Sequence, residues 1–332
     1  MSERDRHLSK PAPASLARRE FLNRAAMAAV FTGSAGLGVW GTRPAVAATV
    51  ATQMNAWAGL PLELDGVFVG YVQAASGGEH FVDVASAATT PGKSAGAAHV
   101  APLELTVSTG MSASFYGWIS GFLVGKGEPR TVGLYQLDQI GTPVRRLALN
   151  GAVIVGVSMP PFDGSTATDP NTGAPIEVPM TMTVAIGAKS SSAVIVPAPT
   201  RPAMPRGPRW SANSFSLTID GFDPAATTTH AMRIEGVGAK LSPNGGFVDV
   251  SNLKFTLGDH FAEPFYRWSD DAKGDERRGV IQMNPAAPIG TIELLGVGIV
   301  GVTPKLDWHV GPTAIVEVYC EQLRFNLSGF AA

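Results

Sequence analysis

The sequence predicts a mainly β chain made of two tandem sandwich or barrel domains, each carrying one short helix. Three observations carry that expectation. An aromatic cluster is spelled twice, "SFYGW" at 114–118 and "PFYRW" at 264–268. Segments whose apolar residues alternate with polar ones surround both copies in the same order, as repeated strands would. Between the copies lies a stretch in which Pro197, Pro199, Pro202, Pro205 and Pro208 remove backbone donors and favour an extended spacer. The expected organisation is a leader over 1–47, a first domain over 48–188, a linker over 189–212 and a second domain over 213–332.

The leader resembles a twin-arginine export signal. Arg18 and Arg19 stand before Phe21 and Leu22, an apolar run follows, and Ala45-Val46-Ala47 supplies the small residues a signal peptidase needs. Gly33, Gly36 and Gly38 interrupt the run, whereas a membrane anchor needs about 18 unbroken apolar residues. Stable membrane insertion is therefore not expected, and the destination is periplasmic or extracellular. Cleavage after Ala47 leaves 18 basic against 24 acidic residues, a charge of −6. With no Lys or Arg cluster after the leader, nucleic-acid binding is excluded, since that requires clustered cations facing phosphate. Cys320 is the one cysteine, so no intrachain disulfide staples the fold and stability must come from packed cores.

In the first copy, "LELDG" at 62–66 is an alternating strand closed by an Asp65-Gly66 turn. Leu103, Leu105 and Val107 form a second such strand. Phe115, Trp118, Ile119 and Phe122 then switch to helical spacing. "YQL" at 135–137, "GAVIVGV" at 151–157 and an alternating stretch over 176–186 complete the copy, with Pro179 suited to an edge. Residues 85–99, "ASAATTPGKSAGAAH", interrupt it and read as a flexible loop. The second copy repeats the series with "LTIDG" at 217–221, with Leu253, Phe255 and Leu257, with Phe261, Phe265 and Trp268 at helical spacing, and with "IQM" at 281–283 and "GVGIVGV" at 296–302. Its last strand alternates through Val316, Val318 and Cys320 and then shifts phase to Leu323, Phe325 and Leu327, which predicts a bulge near Glu321.

Little in the chain points to chemistry. Gly296, Gly298 and Gly301 have dinucleotide-binding spacing, but Pro304 follows where a phosphate-binding helix would have to begin, so they read as strand glycines. His80, His99, His230, His260 and His309 lack paired spacing, and no Cys-x-x-Cys or Gly-x-Ser-x-Gly occurs. Asp270, Asp271, Asp275, Glu276, Arg277 and Arg278 read as a solvated loop, and Phe115, Tyr116, Trp118 and Cys320 read as core. No catalytic, cofactor-binding or metal residue is assigned, and no cofactor is expected.

The segment "VGLYQLDQIGTPVRRLALNGA" over Val132–Ala152 follows the helix "FYGWISGFLVGK" and the Asp65-Gly66 hairpin. That order resembles the tail-tube proteins of contractile phages, with Asp65, Gly66, Trp118, Leu137, Asp138, Gly141, Pro143, Arg145, Arg146 and Ala152 where the family pattern has them. The resemblance covers most of residues 56–188 and is weaker over 213–328, where Arg277 and Arg278 precede the strand and Met283-Asn284 replaces Leu-Asp. It implies two tail-tube-like domains, kinship with the tube protein of type VI secretion, self-association into six-fold rings that stack into a tube, and no catalysis. Other components of such an assembly are further candidate partners. It also implies that the long loop at 85–99 contacts a neighbouring ring. The chain departs from phage tube proteins, which are cytoplasmic and single-domain. Two domains per chain would let three chains close one ring. The alternative is a periplasmic small-molecule-binding protein or a cofactor-dependent enzyme that uses the cleft between two β domains.

If the leader is read as twin-arginine, Arg18→Lys combined with Arg19→Lys leaves the precursor in the cytoplasm when export is followed by fractionation. Normal export of that variant contradicts the twin-arginine reading.

Overall fold

A computed structural model describes residues 59–86, 93–138, 142–164, 181–195, 212–223, 230–243, 246–271, 275–286, 288–307 and 311–327. The signal residues Arg18, Arg19, Phe21, Leu22, Ala45 and Ala47, the turn residue Gly141 and the prolines 197–208 lie outside them. Thr49–Ala332 forms one compact unit that is mainly β.

The first half contains β1 (Leu60–Leu64), β2 (Val67–Val72), β3 (Ala74–Ser76), β4 (His80–Ser86), β5 (Lys93–Val100), β6 (Leu103–Val107), helix α1 (Ala113–Leu123), β7 (Arg130–Leu137), β8 (Pro143–Ser158), β9 (Phe162–Asp163), β10 (Met182–Gly187) and β11 (Ser190–Ile195). The second half contains β12 (Phe215–Ile219), β13 (Ala231–Glu235), β14 (Gly238–Leu241), β15 (Val248–Val250), β16 (Leu253–Gly258), helix α2 (Glu263–Asp271), β17 (Arg277–Met283), β18 (Gly290–Asp307) and β19 (Gly311–Asn326).

The halves correspond along a run of six strands each. The first sheet runs β1-β7-β8-β10-β6-β3, and the second runs β12-β17-β18-β19-β16-β13. All of these pairings are antiparallel. Irregularities recur as well as order. Gly151 and Gly296 both take positive φ, 59° and 61°, which glycine adopts without the steric penalty of a Cβ, and the register slips beside each of them. A second slip skips Val155 in β8 and Val300 in β18. Gly77 and Gly236, at φ 85° and 81°, leave no room for a Cβ, which would sit 2.0 and 2.2 Å from the carbonyl oxygens of Pro102 and Asn252.

Each helix forms where the apolar spacing predicts one. Ser112 caps α1, its hydroxyl accepting from Phe115 N, and Phe115, Trp118, Ile119 and Phe122 point into the core. In α2, Phe265 and Trp268 do the same. The indole of Trp118 donates to Glu128 O at 2.9 Å, and that of Trp268 donates to Asp275 O at 3.2 Å, so each helix is tied to the segment entering the next strand. The Tyr116 hydroxyl donates to Ser108 O, and the Tyr266 hydroxyl to Asp259. Burial pushes the Tyr116 hydroxyl well above the usual tyrosine range, which keeps it protonated as a donor.

Four expectations are corrected. The linker begins as structure: Ser190–Ile195 forms β11 and pairs with Asn150–Arg145 of β8, because those residues precede the prolines and keep their backbone donors. Within 85–99, Ala85 and Ser86 belong to β4 and 93–99 to β5, which pair with each other because pairing runs through the backbone and small side chains do not prevent it, while 87–92 lie outside the described residues. No register slip occurs at Glu321; the β18–β19 slip lies at Val300, and the phase change at Glu321 sits opposite the positive-φ Gly296. Arg277 and Arg278 begin β17 and are not loop residues.

Because the two indoles make the same tie, Trp118→Ala and Trp268→Ala should each lower the unfolding free energy by about 3–5 kcal/mol, read from urea denaturation. Loss in one variant with none in the other contradicts the correspondence of the two helices.

Candidate functional site

The described motif residues fall at both ends of the β7–β8 ladder and on both the buried and the solvent sides of the first sheet. Asp65 at φ 52° and Gly66 at φ 80° make the tight turn between β1 and β2, which requires two left-handed residues. Asp65 then reaches sideways to the start of β7. Its carboxylate accepts from Thr131 N at 2.9 Å and pairs with Arg130 at 2.9 Å, while its own N–H donates to Thr131 O. Trp118 is buried under α1. At the far end of β7, Leu137 pairs with Pro143, and Asp138 closes the turn by accepting from Thr142 N at 2.7 Å and donating its own N–H to Thr142 O. Ala152 is fully buried opposite Arg130.

Of the two arginines in the motif, Arg146 is engaged and Arg145 faces out. Arg146 lies across three strands. Its guanidinium donates to Glu63 at 3.0–3.1 Å and passes over the Tyr135 ring, whose hydroxyl donates to the same carboxylate at 2.8 Å. Gly133 makes this possible, since a Cβ there would lie 2.6–2.9 Å from the guanidinium. Burial, with the Glu63 carboxylate close by, raises the Tyr135 hydroxyl above its ordinary value. The cluster fixes the geometry of the sheet and offers no nucleophile or base poised for chemistry.

The second half has an anchor that the sequence did not reveal. Arg277 stacks over Phe222 at 4.3 Å and Trp268 at 4.8 Å, pairs with Asp275 at 2.8 Å and donates to Asp220 O. It stands where Arg130 stands in the first half, and Asp220 N donates to Arg278 O as Asp65 N donates to Thr131 O. Repeat position was the available signal. Cys320 is buried with its thiol pushed up to about 11 by desolvation, so it is an unreactive core residue.

The halves join by exchanging edge strands. β14 of the second half pairs with β8 of the first, and β9 of the first pairs with β13 of the second. Phe162 and Ile234 are fully buried at this junction. α1 also crosses over, its Ser120 hydroxyl donating to Phe325 O of β19 at 3.1 Å. Beside that contact lies a cavity of about 220 Å³ lined by Tyr116, Gly117 and Leu327 among others, below the ~300–1,000 Å³ usual for ligand pockets. Among the described residues no three His, Cys, Asp or Glu are placed to hold a metal, and no helix is long and apolar enough to cross a membrane.

What the junction leaves over is unpaired edge. β4–β5 forms a two-stranded sheet of its own, and beyond Val297 the side of β18 away from β19 has no strand partner among the described residues. Three solved structures are similar to the chain. A chain of the sheath–tube complex of an extracellular contractile injection system in its extended state is 12% identical and overlaps 44% of this chain and 95% of its own, at a TM-score of 0.30. The tube-terminating cap of an anti-feeding prophage is 15% identical over 46% of this chain and 100% of its own, also at 0.30. A crystal structure of an Hcp protein is 15% identical over 39% and 76%, at 0.25. No protein-family model and no curated protein matches the chain.

Because Arg146 and Glu63 meet only in the folded sheet, a double-mutant cycle of Arg146→Ala and Glu63→Ala should return a coupling of about 1 kcal/mol, modest because both side chains keep some solvent contact. A coupling of zero contradicts the pair.

Proposed function

We propose that this chain is an exported structural protein, a tandem pair of tail-tube-like units that self-associates into rings or tubes. The observation that carries the proposal is the correspondence of the two halves in strand order, bulges, positive-φ glycines and indole ties, combined with their edge-to-edge joining. Two similar units joined by one kind of contact leave one half of that contact unused at each end of the chain. A heterologous contact of that sort repeats until rotation closes a ring or fails to close and makes a filament. Closure removes the open edges that otherwise invite uncontrolled pairing.

Two units per chain make a ring of six from three chains, six-fold only approximately because the halves differ. The outward face of each sheet is polar, with Glu63, Tyr135 and Arg146 on one and the Arg278–Glu293 pair at 3.0 Å on the other, as a wetted tube wall requires. The motif residues Asp65, Gly66, Trp118, Leu137, Asp138, Gly141, Pro143, Arg145, Arg146 and Ala152 are scaffold in this reading. None is catalytic. Export through the twin-arginine route, which carries folded proteins, would deliver the units ready to assemble outside the cytoplasm.

Native mass spectrometry of the purified chain should give trimers or multiples of three. A monomer, or an isolated two-fold dimer at high concentration, contradicts the ring and favours a binding protein.

A further inference from the structure

Inside the chain, Gly238, Ala239 and Lys240 of β14 lie opposite Ser158, Val157 and Gly156 of β8, and Met159 N donates to Val237 O at 2.8 Å. Register identifies the counterpart of each partner. β14–β15 corresponds to β4–β5: Ala239 pairs with Val250 as His80 pairs with Val100, and Lys240 pairs with Asp249 as Phe81 pairs with His99. β8 corresponds to β18: Ile154 meets Ile186 as Ile299 meets Val318, each one residue before the slip. Counting from these anchors, Glu79, His80 and Phe81 match Gly238, Ala239 and Lys240, and Thr303, Val302 and Gly301 match Ser158, Val157 and Gly156.

Within one chain these counterparts do not pair. Both carry exposed apolar groups, Phe81 and Val82 at 47% and Val300 at 51%. Gly301 also faces open space. A Cβ added at Gly156 meets Ala185 Cβ of β10 at 3.6 Å and, from β14, Ala239 O at 3.7 Å and Lys240 Cβ at 3.9 Å, whereas one added at Gly301 meets nothing within 4 Å.

We propose that the β4–β5 hairpin of one chain adds to the free side of β18 in a second copy, setting Glu79, His80 and Phe81 opposite Thr303, Val302 and Gly301. The Phe81 ring then covers the bare backbone at Gly301, a cross-strand pairing that shields glycine at a sheet edge. This rests on the self-association reading and adds to it the edges used and their register. The contact between chains is narrower than the internal one. Pro304 stands where Met159 donates its N–H, so the ladder ends at Thr303. Glu263, Arg267 and Asp270 of α2 stand where α1 has Ala113, Gly117 and Ser120, so the close helix packing on β19 is not repeated.

The test co-expresses a full chain carrying Phe81→Cys with one carrying Gly301→Cys and treats the product with copper or a short bismaleimide. The buried Cys320 stays out of the reaction. Linked dimers are expected from the mixture and not from either variant alone, and Gly301→Asp should lose the oligomer without lowering the melting temperature. Wild-type chain that is monomeric by native mass spectrometry overturns both this contact and the ring. Oligomeric wild type with no mixed link, or with Phe81→Cys linking to itself, overturns this contact and leaves the ring reading in place.

Discussion

Unpaired backbone at a sheet edge is the constraint on which the rest of this structure depends. Every strand that ends a sheet carries donors and acceptors that need partners once water is excluded. The chain meets that need at its centre by trading strands, β14 to the first sheet and β9 to the second, so the two halves are joined by backbone ladders as well as by apolar contact. The apolar side chains at the junction, Val157, Phe162, Ile234 and Val237 among them, are buried because those ladders bring them together.

Constraint by geometry also explains which details the halves share and which they do not. Positive-φ glycines, the skipped valines and the two indole bonds recur because each sets the course of a strand or the seat of a helix. Side chains on the outward face are free to diverge. The positions of Glu63, Tyr135 and Arg146 in the first half are held by Thr218, Gln282 and Thr291 in the second, where no such ion pair is possible. α1 is apolar on both sides because it packs against its own half and against β19. The other helix needs only one apolar side and carries a Glu263–Arg267 pair on its surface.

Much of the strand pattern was legible in the sequence, because burial on one face imposes alternation and the repeat doubled the signal. Phe115, Trp118, Phe265 and Trp268 were readable as helical core for the same reason. Four features were not. Ser190–Ile195 and the β4–β5 hairpin pair through backbone and lack the large alternating residues that mark a half-buried strand. The partners of Asp65 and Arg146 lie 65 and 83 residues away, beyond any spacing rule. Arg277 looked like one charge among several, and only its position relative to Arg130 marked it as an anchor between Phe222 and Trp268. The exchange of β9 and β14 had no sequence signature at all, since edge pairing depends on where two sheets meet.

Imaging of the purified chain by negative-stain electron microscopy tests the central claim most directly. The account predicts end-on views of closed rings with six lobes in three alternating pairs, alone or stacked into filaments. A field of uniform single particles of one chain's size at every concentration would contradict it.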